Sequence, residues 1–67
     1  MPYVNIKSTK EGVTAEQKAN LIAGVTELLF DVLEKKPQTT YVVIDEVDTD
    51  NWGVGGETIT VRRQREK

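Results

Sequence analysis

Residues 41–44 read Tyr-Val-Val-Ile, and this run decides which fold the chain can adopt. β-Branched and aromatic side chains favour extended strands. The run is apolar at both odd and even positions, whereas a strand with one face in water alternates apolar and polar residues. Together with Thr39 and Thr40 before it, the run predicts a strand covered on both faces.

A long amphipathic helix precedes this strand. Residues 14–17, Thr-Ala-Glu-Gln, match a capping box in which Thr14 is the N-cap and Gln17 reaches back to it. Apolar residues then recur at spacings of three and four along one stripe: Leu21, Ile22, Val25, Leu28, Leu29, Val32 and Leu33. Because the residue before a proline avoids helical geometry, Pro37 predicts that the helix ends near Lys35.

A first strand opens the chain. Along residues 3–8 apolar and polar side chains alternate, with Val4 and Ile6 on one side of the predicted strand and Asn5 and Lys7 on the other. Two strands joined by a crossover helix lie parallel, with a right-handed connection. We therefore expect a two-layer βαβ unit of the α+β class, formed by a single domain that spans residues 1–67.

The C-terminal third contains residues typical of turns, followed by a short stretch in which polar and apolar residues alternate. Residues 48–51 favour a turn, and Gly53, Gly55 and Gly56 supply the backbone freedom of a hairpin. These glycines lack the strand-to-helix context and the lysine of a phosphate-binding loop. Residues 58–62 again alternate between polar and apolar side chains, which predicts a short strand or hairpin at the end of the chain.

A single helix can cover only one face of a two-stranded sheet, yet the strand at residues 41–44 is apolar on both. The sequence has no second long helix, so we expect another copy of the chain to cover the other face, giving a homo-oligomer. The alternative is that Tyr41 or Val42 is simply half-exposed, as many apolar residues are.

Composition excludes several classes of function. The 67 residues contain no cysteine and no histidine, which removes disulfides, thiolate and imidazole metal ligands, and catalysis by histidine. A net charge of −2 with scattered cations argues against nucleic-acid binding. No apolar stretch is long enough to cross a bilayer, so we expect a cytoplasmic protein with no membrane partner, and we assign no cofactor and no metal.

Pro2 is the candidate general base. Without histidine, the group that titrates nearest neutral pH is the α-amino group, at about 7.7–8.0. Removal of Met1 would expose the secondary amine of Pro2, and burial or nearby cations would lower its pKa so that it can accept a proton. The alternative is a proline that merely starts a strand.

Four segments together resemble the 4-oxalocrotonate tautomerase family. They are Met-Pro-Tyr-Val-Asn-Ile at residues 1–6, Thr-Ala-Glu-Gln-Lys at 14–18, Lys-Pro at 36–37, and Asn-Trp-Gly-Val-Gly-Gly-Glu at 51–57. The resemblance implies βαβ subunits that assemble into a hexamer, a trimer of dimers. It also implies that Pro2 moves a proton between the enol or dienol and keto forms of a small carboxylic acid, of the kind met in aromatic-compound catabolism. Trp52 matches the family's aromatic residue beside the substrate.

The chain departs from the family where the substrate carboxylates bind. The best-known members use two arginines, and the matching positions here are Val13 and, to within one position, Val42. Neither valine can bind a carboxylate. Either the substrate differs or other cations bind it, and the candidates are Lys10, Arg62 and Arg63. The alternative for these three is a solvated surface that only keeps the protein in solution. Ser8 is a further candidate for substrate binding.

Two other functions stay open at this point. The chain could be a non-catalytic oligomeric module that keeps the tautomerase scaffold, or a related proline-dependent hydratase or dehalogenase. The acidic residues between 45 and 50 lack the spacing of a calcium loop and are interpreted as a strand edge and turn.

Overall fold

The computed structural model describes residues 1–66, which form a βαβ unit followed by a small hairpin and a short helix. The elements are β1 (Tyr3–Thr9), α1 (Ala15–Leu33), β2 (Tyr41–Val47), β3 (Gly53–Val54), β4 (Glu57–Thr58) and α2 (Ile59–Arg65). Short 3-10 turns at Pro37–Thr39 and Thr49–Asn51 precede and follow β2. The expected α+β class and βαβ order are confirmed.

β1 and β2 are parallel and in register over their whole length, from the Tyr3–Tyr41 pair to the Thr9–Val47 pair. Even-numbered residues of both strands share one face. Glu46 lies on that face and forms an ion pair with Lys18 of α1, so α1 covers this side of the sheet.

The start of α1 follows the sequence prediction closely. Thr14 accepts a hydrogen bond from the Gln17 backbone at 3.1 Å, and the Gln17 side chain accepts one from the Thr14 backbone at 3.0 Å. The helix ends at Leu33, slightly before the predicted end, because Glu34 adopts a left-handed conformation with φ of 57°. Pro37 then begins the 3-10 turn, which confirms it as the point beyond which the helix does not continue.

The C-terminal strand prediction is wrong beyond Thr58. Glycines 55 and 56 turn the hairpin with φ of 60° and 86°, as expected, but residues 59–65 are helical. The Thr58 hydroxyl accepts a hydrogen bond from the Val61 backbone at 3.2 Å and so caps a helix where alternation had favoured a strand. Because β3 and β4 are joined by only two residue pairs, the helix at residues 59–65 replaces little strand pairing.

The single chain leaves much apolar surface uncovered. No side chain in residues 1–66 is fully buried, and Leu28, Phe30 and Val32 on α1 are 50–68% exposed. The radius of gyration is 15.4 Å, against about 11 Å for a typical domain of this length. The face of the sheet opposite α1 is open, with Val43 40% exposed.

Candidate functional site

Pro2 lies at the amino-terminal edge of the sheet, one residue before β1. Its carbonyl accepts a hydrogen bond from the backbone N–H of Tyr41 at 2.9 Å, which fixes the proline to the start of β2. Pro2 is half-buried. Its nitrogen is joined to Met1 in this chain and is an amide in that form.

The predicted substrate-binding residues lie at the opposite edge of the sheet. Ser8 is near the end of β1, and Lys10 follows it with its backbone N–H donating to the Val47 carbonyl at 2.8 Å. A strand rises about 3.3 Å per residue, so Pro2 and Lys10 of one chain are about 25 Å apart. The side chains of one chain therefore cannot bring these two residues to a common substrate.

Trp52 also belongs to the carboxyl-terminal half of the molecule. It follows the 3-10 turn after β2, is half-buried, and its carbonyl accepts a hydrogen bond from the Ile59 backbone at 2.8 Å. Its neighbour Asn51 lines a polar groove that Lys10 also lines. The structure thus places Trp52 and Lys10 at the same edge of the sheet.

The two candidate arginines on α2 already have partners. Arg62 pairs with Glu66 at 3.2 Å along the helix. Arg63 pairs with Glu11 at 2.5 Å and donates a hydrogen bond to the Thr9 hydroxyl at 3.4 Å. Hydrogen bonds from Thr9 and Arg63, together with the Arg63 charge, lower the pKa of Glu11 below its usual value. Arg63 therefore ties α2 to the loop after β1.

Lys10 is differently placed, since it is exposed and has no carboxylate within ion-pair distance in the described part of the chain. The groove that it lines also contains Lys7, Asp45, Glu46, Val47, Asp48 and Asn51. Three of these side chains are acidic, and no group of three or more His, Cys, Asp or Glu among residues 1–66 is arranged to hold a metal ion.

Sequence reasoning missed the residues that flank Pro2. The register places Tyr3 beside Tyr41, and the side chains of both are mostly exposed. Lys36 lies at the same edge, since its carbonyl accepts a hydrogen bond from the Thr40 hydroxyl at 2.9 Å. Both tyrosines lie in segments that the sequence predicts as strands, which was a usable signal, but only the observed register shows that the two are neighbours.

A second surface of interest is an apolar groove along α1, whose lining residues do not include Pro2. It has a volume of about 620 Å³ and is lined by Val13, Gln17, Asn20, Leu21, Gly24, Val25 and Leu28. Val13, one of the two positions where the family's arginines were expected, therefore belongs to an apolar surface. Val42, the other, lies on the face that α1 covers.

Comparison with known proteins gives a consistent result. Residues 2–62 match the model of the family described as tautomerase enzyme. Probable tautomerase K2 of Dickeya dadantii is 69% identical over 65 residues, covering 97% of each chain. The 2-hydroxymuconate tautomerase of Bacillus subtilis is 37% identical over 60 residues, covering 90% of this chain and 95% of that protein. The crystal structure of DmpI from Helicobacter pylori superposes with a TM-score of 0.88 at 48% identity, covering 94% of this chain and 97% of that one.

None of the helices within residues 1–66 is long and apolar enough to cross a membrane.

Proposed function

This chain belongs to the tautomerase family, and we propose that it interconverts the enol or dienol and keto forms of a small carboxylic acid with Pro2 as the general base and acid. The observation that carries the proposal is the fixed position of Pro2 at the sheet edge, held by the 2.9 Å hydrogen bond from Tyr41. The name of the Bacillus subtilis relative, a 2-hydroxymuconate tautomerase, supports a dienol acid as the substrate class.

The reaction requires a nitrogen lone pair. Once Met1 is removed, the Pro2 nitrogen is a secondary amine that can accept the enol O–H proton, which leaves an enolate. As the oxygen electron pair forms the carbonyl, the C=C electrons take the proton from the protonated amine to carbon, so the proline returns to its starting state. The net change is an isomerisation with no oxidant, reductant or second substrate. The chain has no histidine to act instead.

We also propose that the complete site forms between copies of the chain. Pro2 is about 25 Å from Lys10 along β1, so Pro2 of one copy must meet the carboxyl-terminal edge of another if Ser8, Lys10, Trp52 and Arg62 are to contact its substrate. In this arrangement Trp52 would exclude water and help to lower the pKa of the amine, and Lys10 would supply a positive charge. A single protomer would then bind the substrate poorly and lack full activity.

The uncovered apolar surface supports this assembly. The open sheet face and the apolar groove on α1 lie on different sides of the subunit, so two kinds of contact between copies are needed to cover both. A trimer of dimers, as the family resemblance implies, provides two such contacts. We propose a homohexamer on this basis.

The test compares Pro2→Ala with wild type on phenylenolpyruvate and 2-hydroxymuconate, using protein shown by mass spectrometry to lack Met1. General acid–base catalysis contributes about 10²–10⁴-fold, so we expect kcat/KM to fall by at least about 100-fold. Pro37→Ala is the matched control, since it is the same change at the only other proline and should keep the activity. Equal activity in Pro2→Ala would refute the proline mechanism, and no activity in wild type would favour a non-catalytic oligomeric module.

A further inference from the structure

We propose that Thr60 is a positioning residue for Trp52. Its hydroxyl ties the turn before Trp52 to α2 and so fixes where the indole ring lies at the carboxyl-terminal edge of the sheet. The proposal rests on the proposed function, because it takes Trp52 as the residue that excludes water from the substrate. It assigns a role to a helix that the sequence pattern did not predict.

Three side chains form a directed chain of hydrogen bonds between the turn and α2. The Thr60 hydroxyl donates to the Asp50 carboxylate at 2.5 Å, because a carboxylate can only accept. A hydroxyl has one proton, so in the 2.5 Å contact between the Thr60 and Thr49 hydroxyls the donor is Thr49. Thr60 therefore holds the first two residues of the 3-10 turn Thr49–Asn51, and loss of its hydroxyl breaks both bonds at once.

The main chain on both sides of Trp52 is fixed by contacts with later residues. The Trp52 carbonyl accepts a hydrogen bond from the backbone N–H of Ile59, the first residue of α2, at 2.8 Å. The next residue, Gly53, pairs with Thr58 between β3 and β4. On the other side of Trp52, the two bonds to Thr60 are the only side-chain hydrogen bonds within residues 1–66 that join the turn to α2.

The indole ring has no polar anchor of its own. Trp52 is half-buried, and its ring N–H donates to no group in the described part of the chain. The position of the ring therefore depends on its packing and on the backbone that carries it. Because a misplacement of about 1 Å can lower a rate by about 100-fold, the bonds that fix this backbone affect catalysis without touching the substrate.

The helix that carries Thr60 is itself anchored to a second segment of the same edge. Arg63 forms an ion pair with Glu11, which lies in the same loop as Lys10. Thr60 and Arg63 are three residues apart, so they are neighbours on one side of α2. That side of the helix therefore contacts both the turn before Trp52 and the loop that contains Lys10. Thr60 thus fixes Trp52 relative to another predicted substrate-binding segment.

The experiment compares wild type with Thr60→Val, which keeps the branched shape of the side chain and removes the hydroxyl, in Met1-free protein. Trp52 is the only tryptophan of the chain, so its fluorescence reports on that ring alone. We expect quenching by acrylamide to rise and kcat/KM for phenylenolpyruvate to fall by about 10-fold, within the roughly 100-fold that such a misplacement can cost. Thr60→Ser keeps the hydroxyl and should restore both. Thr26→Val is the matched control, since it removes a helical hydroxyl that bonds only the Ile22 carbonyl, at 2.7 Å, and should change neither.

A double-mutant cycle separates positioning of Trp52 from a general loss of structure. If Thr60 acts through Trp52, Thr60→Val should lower kcat/KM by less than about 2-fold when it is added to Trp52→Leu, because two residues that act as a unit are not additive. An equal fold-loss with and without Trp52→Leu overturns the proposal. So does unchanged quenching in Thr60→Val, failure of Thr60→Ser to restore it, or an equal change in Thr26→Val.

A second pair of variants keeps the test decisive if Thr60→Val does not assemble. Asp50→Ala removes the acceptor from an exposed turn residue and should reproduce the rise in quenching, whereas Asp50→Asn keeps an acceptor oxygen and should resemble wild type. Equal quenching in Asp50→Ala and wild type overturns the proposal. Failure of the proposed function is distinct, since it would appear as equal activity in wild type and Pro2→Ala, and the quenching results would then decide the role of Thr60 alone.

Discussion

At the scale of single residues, Asp45 shows how a half-exposed carboxylate is held on the open face of the sheet. Its Oδ2 atom accepts hydrogen bonds from Asn5 at 2.8 Å and Lys7 at 2.9 Å. The Asn5 hydrogen bond, followed by the Lys7 hydrogen bond and charge, lowers the pKa of Asp45 below its usual value. Folding therefore favours the charged form of Asp45.

This preference makes stability depend on pH. Because the folded-state pKa is below the unfolded value of about 3.9, the carboxylate stabilises the fold above that pH, and the stabilisation is lost as pH falls through the folded-state pKa. We predict that Asp45→Asn flattens the fall in the free energy of unfolding between pH 6 and pH 3, measured by urea denaturation at fixed protomer concentration. Asp31→Asn, on the exposed side of α1, should keep the wild-type dependence. A wild-type slope in Asp45→Asn would contradict the assignment.

At the scale of elements, the start of α1 depends on a reciprocal pair of side chains. The Thr14 hydroxyl and the Gln17 amide each satisfy a backbone N–H that the helix leaves without a partner. We predict that Thr14→Ala lowers the free energy of unfolding by about 1 kcal/mol, with a smaller loss in Thr14→Ser. Chemical denaturation at fixed protomer concentration measures both, and equal stability of Thr14→Ala and wild type would show that the cap contributes nothing.

The hairpin between β3 and β4 depends on a glycine with a positive φ. Gly56 has φ of 86°, a conformation that residues with a Cβ rarely adopt, although a Cβ there would meet no other atom. We predict that Gly56→Ala costs about 1–2 kcal/mol through backbone strain alone. Gly53→Ala, in the same hairpin but with only an ordinary 3.6 Å contact to the Glu57 carbonyl, should cost clearly less. The free energies of unfolding of the two variants check this order.

Elements whose residues favour a single local structure could be predicted from the sequence. Elements whose residues suit both a strand and a helix could not. The capping box, Pro37 and the turn glycines each have one favourable local structure, and the structure confirms them. Residues 58–62 satisfy both a strand and a helix pattern, and the Thr58 cap decides in favour of the helix. Alternation over so few residues does not distinguish the two.

At the scale of the whole molecule, the candidate site could be predicted only as a set of residues. The sequence gives Pro2, Lys10 and Trp52 as candidates, and the predicted first strand already separates Pro2 from Lys10, but it does not show that Trp52 lies at the same edge of the sheet as Lys10. Nor does it show that Tyr3 and Tyr41 are neighbours. Both facts depend on pairing between strands more than thirty residues apart, which local patterns do not encode.

Whether a single subunit is stable alone also depends on the whole molecule. The open sheet face must be covered if the double-sided apolar strand is to be stable, and Val43 lies at its centre with 40% exposure. We predict that Val43→Asp dissociates the oligomer, measured by light scattering at micromolar concentration, and lowers activity with it. Gln38→Asp places the same charge on the exposed 3-10 turn and should assemble normally. A stable wild-type monomer, or an intact Val43→Asp oligomer, would contradict the covered face.

The catalytic account depends most directly on the ionisation of one ring nitrogen. With only two prolines in the chain, ¹⁵N-proline labelling resolves Pro2 from Pro37, whose amide nitrogen serves as a reference that does not titrate. In Met1-free protein we predict that the Pro2 nitrogen titrates below the usual range of an α-amino group, about 7.7–8.0, at the same pH as the acidic limb of kcat/KM. A Pro2 resonance that does not change with pH, or that titrates at a pH unrelated to the rate, would contradict the account.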